Sequence, residues 1–420
     1  MKSILQGMMA LAAGATGARG VALLSIPLLT RLYSPEQFGV FGLFSSVLLL
    51  LVPLATFRYM TALPLPRTDR AAFAVLALAF VLLGGFSLVL LVVVLLAGAP
   101  LLIGLGFGDL APYALLIPVG VFFASLFETL SMWATRARAY RVIAVTQIWQ
   151  AVAGEGSKIV LGVLSVGPIG LISGFILGQI SGLRSFVTRF WAVFRAFLPR
   201  LSVRQMRIVA YRYRGFPINR MPAQFLLALG MHAPLLLTAG YFDAETTGQL
   251  ALAMLAFALP FALVGQATSR AYFGEMAKLG AQNADEILIR MRHVMLTLGL
   301  MALPVSAVLF LYAKPLAAFV LGSEWAQAGR FIAFLAIALV PQFISATVIR
   351  SLDILEAHLL VILLYFTRLV VVASALWIPQ INAASPETIV LAYSCSLAIF
   401  YLMQTCVIYW ALHRKQRQVA

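Results

Sequence analysis

Long apolar runs separated by short polar stretches dominate the chain. An α-helix needs about 20 mostly apolar residues to cross the hydrocarbon core of a bilayer. The sequence therefore predicts twelve spans, at roughly 5–29, 38–57, 71–97, 112–133, 142–165, 168–188, 217–239, 248–268, 293–312, 331–349, 359–378 and 389–411. Proline-containing turn signals separate several of them, among them Ser34-Pro35, Ala99-Pro100 and Lys314-Pro315.

The longest polar stretch, residues 189–216, lies near the middle of the chain and leaves six spans on each side. Within it, Leu201–Arg214 predicts an amphipathic helix that Ser202 caps and that lies on the inner leaflet. Its predicted apolar face holds Val203, Met206, Ala210 and Tyr213. The expected domains are a lobe at 1–188, a linker at 189–216, a second lobe at 217–412 and a basic tail at 413–420.

Composition supports a membrane protein and excludes most soluble classes. Hydrophobic residues make up 62% of the 420 residues and charged residues 10%, whereas soluble domains have about 45–50% apolar and about 25% charged residues. The two cysteines, Cys395 and Cys406, share one apolar run and provide no disulfide framework. No enzyme motif is present, and the four histidines lack the paired spacing of a metal site.

The distribution of basic residues predicts the orientation of the spans. The net charge is +16, which in a soluble protein would suggest nucleic acid. If the N-terminus is cytoplasmic, however, the inner segments hold 22 basic residues and the outer segments hold 3. This bias follows the positive-inside rule and places both termini in the cytoplasm. Because the basic residues are spread over all the inner loops, no nucleic-acid partner is expected.

Four segments carry a resemblance to a known family. They are Leu29–Gly39 (LTRLYSPEQFG), Gly167–Gly174 (GPIGLISG), Tyr211–Pro217 (YRYRGFP) and Leu321–Gly329 (LGSEWAQAG). Their order and spacing cover nearly the whole chain. The chain resembles the Wzx-type oligosaccharide flippases of the multidrug/oligosaccharidyl-lipid/polysaccharide exporter (MOP) superfamily.

The resemblance implies two six-helix lobes around a central cavity. It implies that an undecaprenyl-pyrophosphate-linked oligosaccharide moves from the inner to the outer leaflet of the bacterial cytoplasmic (inner) membrane by alternating access. The product would be O-antigen, capsule or exopolysaccharide. Such a transporter is not an enzyme and needs no cofactor, with coupling to H⁺ or Na⁺ left open. A complex with a polysaccharide polymerase is expected only by analogy.

Ionisable residues at membrane depth are the candidate site residues. A charge at the bilayer centre costs about 2.5–3.5 kcal/mol on insertion scales, so it normally faces a cavity or a partner. Arginine suits a pyrophosphate because its planar fork binds two oxygens at once. The hypothesis is therefore a cationic cavity lined by Arg19, Arg58, Arg220 and Arg270. The alternative for the last three is that they anchor helix ends at lipid headgroups.

A second group of charged residues lies in the fourth and fifth spans. Glu155 and Lys158 are three residues apart on one helical face and can neutralise each other. Otherwise, Lys158 contacts substrate and Glu155 carries a coupling ion, with Glu128 as the other candidate carrier. In the sixth span, glycines repeat every four residues and predict a face for close helix packing: Gly170, Gly174, Gly178 and Gly182.

Two other functions compete with flipping. A cation-coupled multidrug exporter has the same fold, but exporters of organic cations favour acidic and aromatic cavities. Here five of the seven ionisable residues inside spans are basic, namely Arg19, Lys158, Arg184, Arg220 and Arg368 against Glu128 and Glu155. A polymerase or ligase of the same glycan pathway would need a large outer loop, and every predicted outer loop is short.

Overall fold

The chain is almost entirely helical. The computed structural model describes residues 2–197, 199, 201–260, 265–280, 283–355, 357–381 and 384–419, which contain no β-strand. The α-helices within these ranges are α1 (Lys2–Leu32), α2 (Pro35–Ala55), α3 (Asp69–Gly104), α4 (Leu116–Arg136), α5 (Tyr140–Val163), α6 (Pro168–Phe197), α7 (Val203–Arg212), α8 (Met221–Tyr241), α9 (Ala244–Pro260), α10 (Gln266–Leu279), α11 (Ala284–Leu321), α12 (Ala326–Val348), α13 (Arg350–Ile354), α14 (His358–Ile381) and α15 (Pro386–Val419). The all-α class predicted from the sequence is confirmed.

The helices account for every predicted span. Within the described residues, ten helices are long and apolar enough to cross a membrane. They contain α1–α4, α6, α8, α11, α12, α14 and α15. The two other predicted spans correspond to α5, which has sufficient length but more polar residues, and to α9, of which the structure describes 17 residues. The chain is therefore a multi-pass membrane protein.

Two predicted turns are wrong, because α3 runs through Pro100 and α11 runs through Pro315. Membrane helices tolerate proline where neighbouring elements satisfy or shield the freed backbone groups. At the second site α12 packs closely, since a Cβ added to Gly329 would lie 2.6 Å from the Cα of Lys314. Helix α11 ends instead at Leu321 and is followed by Gly322, whose φ of +112° is accessible mainly to glycine.

The chain forms two compact units, Met1–Ala228 and Leu229–Ala420. The first unit has a core of aromatic side chains from α3, α4 and α6, in which Phe73 lies edge-on to Trp133 with ring centroids 6.1 Å apart. In the second unit, α12 packs against α9, α11 and α15, and Phe331 and Leu335 are fully buried in the core.

The linker contains the predicted amphipathic helix, α7, which belongs to the first unit and packs against its core. Val209 is buried in the aromatic core, and the Tyr59 hydroxyl donates a hydrogen bond of 2.9 Å to the carbonyl of Ala210. The predicted apolar face is wrong at Val203, which is 63% exposed. Because Val203 is the first residue of α7, the packing face is set by Val209 within the helix and by Tyr213 directly after it.

Glycines bring α5 and α6 into backbone contact, as the four-residue repeat in α6 predicts. A Cβ added to Gly174 would lie 2.5 Å from the Cγ of Lys158. A Cβ added to Gly178 would lie 2.9 Å from the carbonyl oxygen of Gln150 and 3.0 Å from the Cα of Gly154. The close approach of these helices therefore depends on the absence of side chains at Gly174 and Gly178.

We expect Gly178→Val to destabilise the first unit by about 1–3 kcal/mol or more, since the added side chain meets backbone atoms that cannot rotate away. The matched control is Gly156→Ala on α5, where an added Cβ has no neighbour within 4 Å. Alanine there favours the helix by roughly 1 kcal/mol. Thermal unfolding of the purified protein in detergent checks both variants, and equal midpoints would contradict the close contact of α5 and α6.

Candidate functional site

A cavity of about 340 Å³ lies among α1, α5 and α6 of the first unit. Its wall combines small residues such as Ala15, Ala18 and Ala151 with the aromatic ring of Phe175. The polar lining consists of Arg19 on α1, Gln147, Gln150, Glu155 and Lys158 on α5, and Gln179 on α6. Two basic groups and one acidic group give this lining a net positive charge.

Helical spacing explains why these residues share a cavity. On α5, Gln147, Gln150, Gly154 and Lys158 recur every three or four residues and therefore occupy one face. On α1, Ala15, Ala18 and Ala22 surround Arg19 at the same spacing and leave room beside its side chain. The two helices meet closely one turn before the cavity, because a Cβ on Gly14 would lie 2.5 Å from the Cα of Ala144.

Lys158 and Glu155 form a buried ion pair on the cavity wall. The Nζ of Lys158 lies 2.8 Å from Oε1 of Glu155, and the two side chains are only 10% and 14% exposed. The ammonium group also lies 5.1 Å from the centroid of the Phe41 ring, which adds a cation–π contact. The sequence interpretation in which the two residues neutralise each other agrees with this geometry.

Three glutamines that are not among the site residues predicted from the sequence extend the polar wall. The Nε2 of Gln150 donates to Oε1 of Gln179 over 2.8 Å and links α5 to α6. Among the described residues, Oε1 of Gln147 is buried without a hydrogen-bond partner. The sequence could have indicated these glutamines as cavity residues, because they are polar side chains in apolar spans. Polar groups at membrane depth normally face a cavity or another helix. Amides both donate and accept, as sugar hydroxyls do.

The Leu29–Gly39 segment positions α5 beside this cavity. The buried hydroxyl of Tyr33 donates to the carbonyl of Lys158 over 2.7 Å. Pro35 occupies the first turn of α2, and the backbone N–H of Ser34 donates to Oε1 of Gln37 over 3.4 Å. The Tyr-Ser-Pro-Glu-Gln sequence thus starts α2 and holds the connection between α1 and α2 against α5.

Among the other predicted site residues, Arg58, Glu128 and Arg220 do not line this cavity. Arg58 pairs with Glu128 of α4 over 3.3 Å, so the candidate ion carrier Glu128 already has a cationic partner. Arg220 is exposed in a π-helical turn, Phe216–Arg220, immediately before α8, a position that suits anchoring at headgroups. The side chain of Arg270 lies outside the described residues. The structure therefore brings together Arg19, Glu155 and Lys158.

Arg58 has a left-handed backbone conformation, with φ of +60°, and follows Phe57 with φ of +47°. Such a conformation costs a residue with a Cβ roughly 1–2 kcal/mol, whereas glycine adopts it freely. Both Arg58→Ala and Arg58→Gly remove the ion pair with Glu128, but only glycine relieves the backbone. We therefore expect the glycine variant to unfold at the higher temperature, and a more stable alanine variant would contradict the strain.

Comparison with known proteins decides the family. Residues 28–330, more than half of the chain, match the family model described as "Polysaccharide biosynthesis protein". The chain belongs to this family. No curated protein is similar enough to match the chain in sequence.

Solved structures show the fold of this polysaccharide biosynthesis family member. The chain is similar to the lipid II flippase MurJ in an inward closed conformation, with a TM-score of 0.72 and 14% identity over 98% of this chain and 90% of that chain. It is similar to an inward-facing multidrug resistance MATE family transporter of the MOP superfamily, with a TM-score of 0.68 and 12% identity over 99% of this chain and 100% of the other. A MOP superfamily transporter from Pyrococcus furiosus gives a TM-score of 0.58 and 13% identity over 99% and 96% of the two chains.

The MOP transporter fold confirms one expectation from the sequence. The chain has the twelve-span architecture predicted from its apolar runs.

Proposed function

We propose that the chain flips an undecaprenyl-pyrophosphate-linked oligosaccharide from the inner to the outer leaflet of the bacterial inner membrane. The observation that carries this proposal is the cationic, amide-lined cavity of α1, α5 and α6 in a member of the polysaccharide biosynthesis family. Arg19 suits phosphate oxygens, and the glutamines suit sugar hydroxyls. The similar fold of a lipid II flippase supports the same class of substrate.

The mechanism we propose is alternating access without ATP hydrolysis. Substrate binding near Arg19 brings the anionic pyrophosphate against the positively charged wall of the cavity. Glu155 and Glu128 are the proposed carriers of a coupling H⁺ or Na⁺, and each faces a basic residue that an arriving cation would displace. A polysaccharide polymerase is the proposed protein partner, since it would consume the flipped product.

The second candidate, a cation-coupled multidrug exporter, is supported by the similar fold of a MATE transporter. The charge of the cavity wall favours an anionic substrate over a cationic drug. The test is expression of the chain in a bacterial host that lacks its own flippase. We expect surface glycan to reappear without added drug efflux. Drug efflux without surface glycan would overturn the proposal in favour of the exporter.

A further inference from the structure

A second cavity of the first unit, of about 590 Å³, is lined by residues of the α2–α3 loop, the α4–α5 connection and α6. Its wall includes Arg67, Trp133, Arg136, Arg138 and Tyr140, and it shares no residue with the cavity of α1, α5 and α6. The bias of basic residues places these connections at the cytoplasmic face of the membrane. The proposed flipping activity does not account for this cavity.

Only one of the three arginines on this wall is committed to protein groups. Arg136 donates to the carbonyl of Pro66 over 2.6 Å and to Oδ1 of Asp69 over 2.9 Å. In the described part of the chain, neither Arg67 nor Arg138 makes a hydrogen bond or an ion pair through its guanidinium group, and both are exposed. Because Arg136 neutralises Asp69, the cavity presents the charge of two arginines.

The backbone holds Arg138 at the cavity before any ligand binds. Its φ is +53°, and two hydrogen bonds close the end of α4 around it. Its own N–H donates to the carbonyl of Thr135 over 3.0 Å, and the N–H of Ala139 donates to the carbonyl of Ala134 over 2.9 Å. Preorganisation of this kind lowers the entropic cost of binding.

The inner wall of the cavity is aromatic. Trp133 is 5% exposed, and among the described residues its indole N–H has no acceptor. Its ring lies 6.1 Å from the ring of Phe73 and 6.0 Å from that of Phe194, centroid to centroid. The cavity thus has two arginines at its mouth and a tryptophan and a tyrosine on its wall. This arrangement suits the boundary of a membrane leaflet, where the phosphate of a lipid headgroup lies directly above the apolar acyl chains.

We propose that this cavity binds the phosphate headgroup of an anionic phospholipid of the inner leaflet, with Arg67 and Arg138 on the phosphate. The group that the two arginines would bind is a phosphate ester. Because the cavity lies at the cytoplasmic ends of the helices, beside the membrane surface, we assign this phosphate to a lipid rather than to a soluble molecule. This inference does not depend on the proposed flipping activity, because phospholipid binding is measured without any oligosaccharide.

The experiment uses the purified full chain in detergent, with phosphatidylglycerol or phosphatidylcholine of identical acyl chains. Bound lipid is counted by native mass spectrometry, and the unfolding temperature is recorded in parallel. Each arginine near an anionic headgroup contributes to the free energy of lipid binding. The double variant Arg67→Gln with Arg138→Gln loses both contributions, so its affinity for phosphatidylglycerol should fall about thirtyfold. The matched control, Arg204→Gln with Arg207→Gln, removes the same charge from the exposed face of α7.

The expected result is selective binding of phosphatidylglycerol that the control variant keeps and the cavity variant loses. Trp133→Phe, which keeps an aromatic but smaller ring and removes the N–H, should weaken binding to a smaller degree. Equal affinity for the two lipids, or equal loss in the two double variants, would overturn the site. If glycerol phosphate alone stabilises the chain as strongly as phosphatidylglycerol, the ligand is a soluble phosphate ester and the lipid assignment is wrong.

Discussion

Replacing Arg19 by alanine is expected to lower glycan export strongly while the protein remains folded in the membrane. Arg19 lies on the wall of the α1–α5–α6 cavity together with the Glu155–Lys158 pair. A hydrogen bond to a charged group is worth about 1.5–3 kcal/mol. Its loss therefore lowers the transport rate about ten- to a hundredfold. Surface glycan in the flippase-deficient host and the membrane level of the variant are scored together.

Two controls separate charge from folding. Arg31→Ala removes an exposed arginine from the last turn of the same helix, so it should leave export unchanged. Arg19→Lys keeps the charge but loses the planar fork, and an intermediate rate is expected. Full export by a normally inserted Arg19→Ala variant would remove Arg19 from the proposed site.

Breaking the Glu155–Lys158 pair should have the largest effect on stability. Because the side chains are only 14% and 10% exposed, Glu155→Gln leaves a buried ammonium group without its anion. Removing one partner of a buried ion pair typically costs about 3–5 kcal/mol. We therefore expect Glu155→Gln to lower the unfolding temperature in detergent strongly, with reduced membrane levels.

The double variant Glu155→Gln with Lys158→Met separates the two roles of the pair. It removes both charges, and replacing a buried pair by uncharged groups is often neutral for stability. We expect the double variant to unfold near the temperature of the unmutated chain but to export little glycan, since its cavity wall keeps one cation instead of two. Normal export by this variant would show that the pair serves only the fold.

The fold was largely predictable because bilayer thickness fixes how long an apolar run must be. The same rule does not determine where helices end. Pro100 and Pro315 read as breaks, yet in each case the helix continues past the proline. The sequence of α7 showed that it is amphipathic, but only the contact of Val209 with the first unit shows which of its faces is covered.

The candidate site was predictable only where charge at membrane depth stands out. Arg19, Glu155 and Lys158 were found because their burial in lipid is costly. Gln147, Gln150 and Gln179 carry no charge, so they gave a weaker signal. The pairing of Arg58 with Glu128 joins residues 70 positions apart. No local pattern predicts such a contact, since it depends on how α2 packs against α4.

The most direct test of the proposed function is translocation in proteoliposomes that contain the purified chain and a labelled undecaprenyl-pyrophosphate-linked oligosaccharide. Glycosidase added outside cleaves only the glycan exposed on the outer leaflet. The flippase proposal predicts that the unmutated chain makes nearly all of the label accessible, whereas empty vesicles leave about half protected. Arg19→Ala should expose the protected half about ten- to a hundredfold more slowly than the unmutated chain. If about half of the label stays uncleaved in vesicles that contain the correctly folded unmutated chain, the chain does not flip this substrate and the proposal is contradicted.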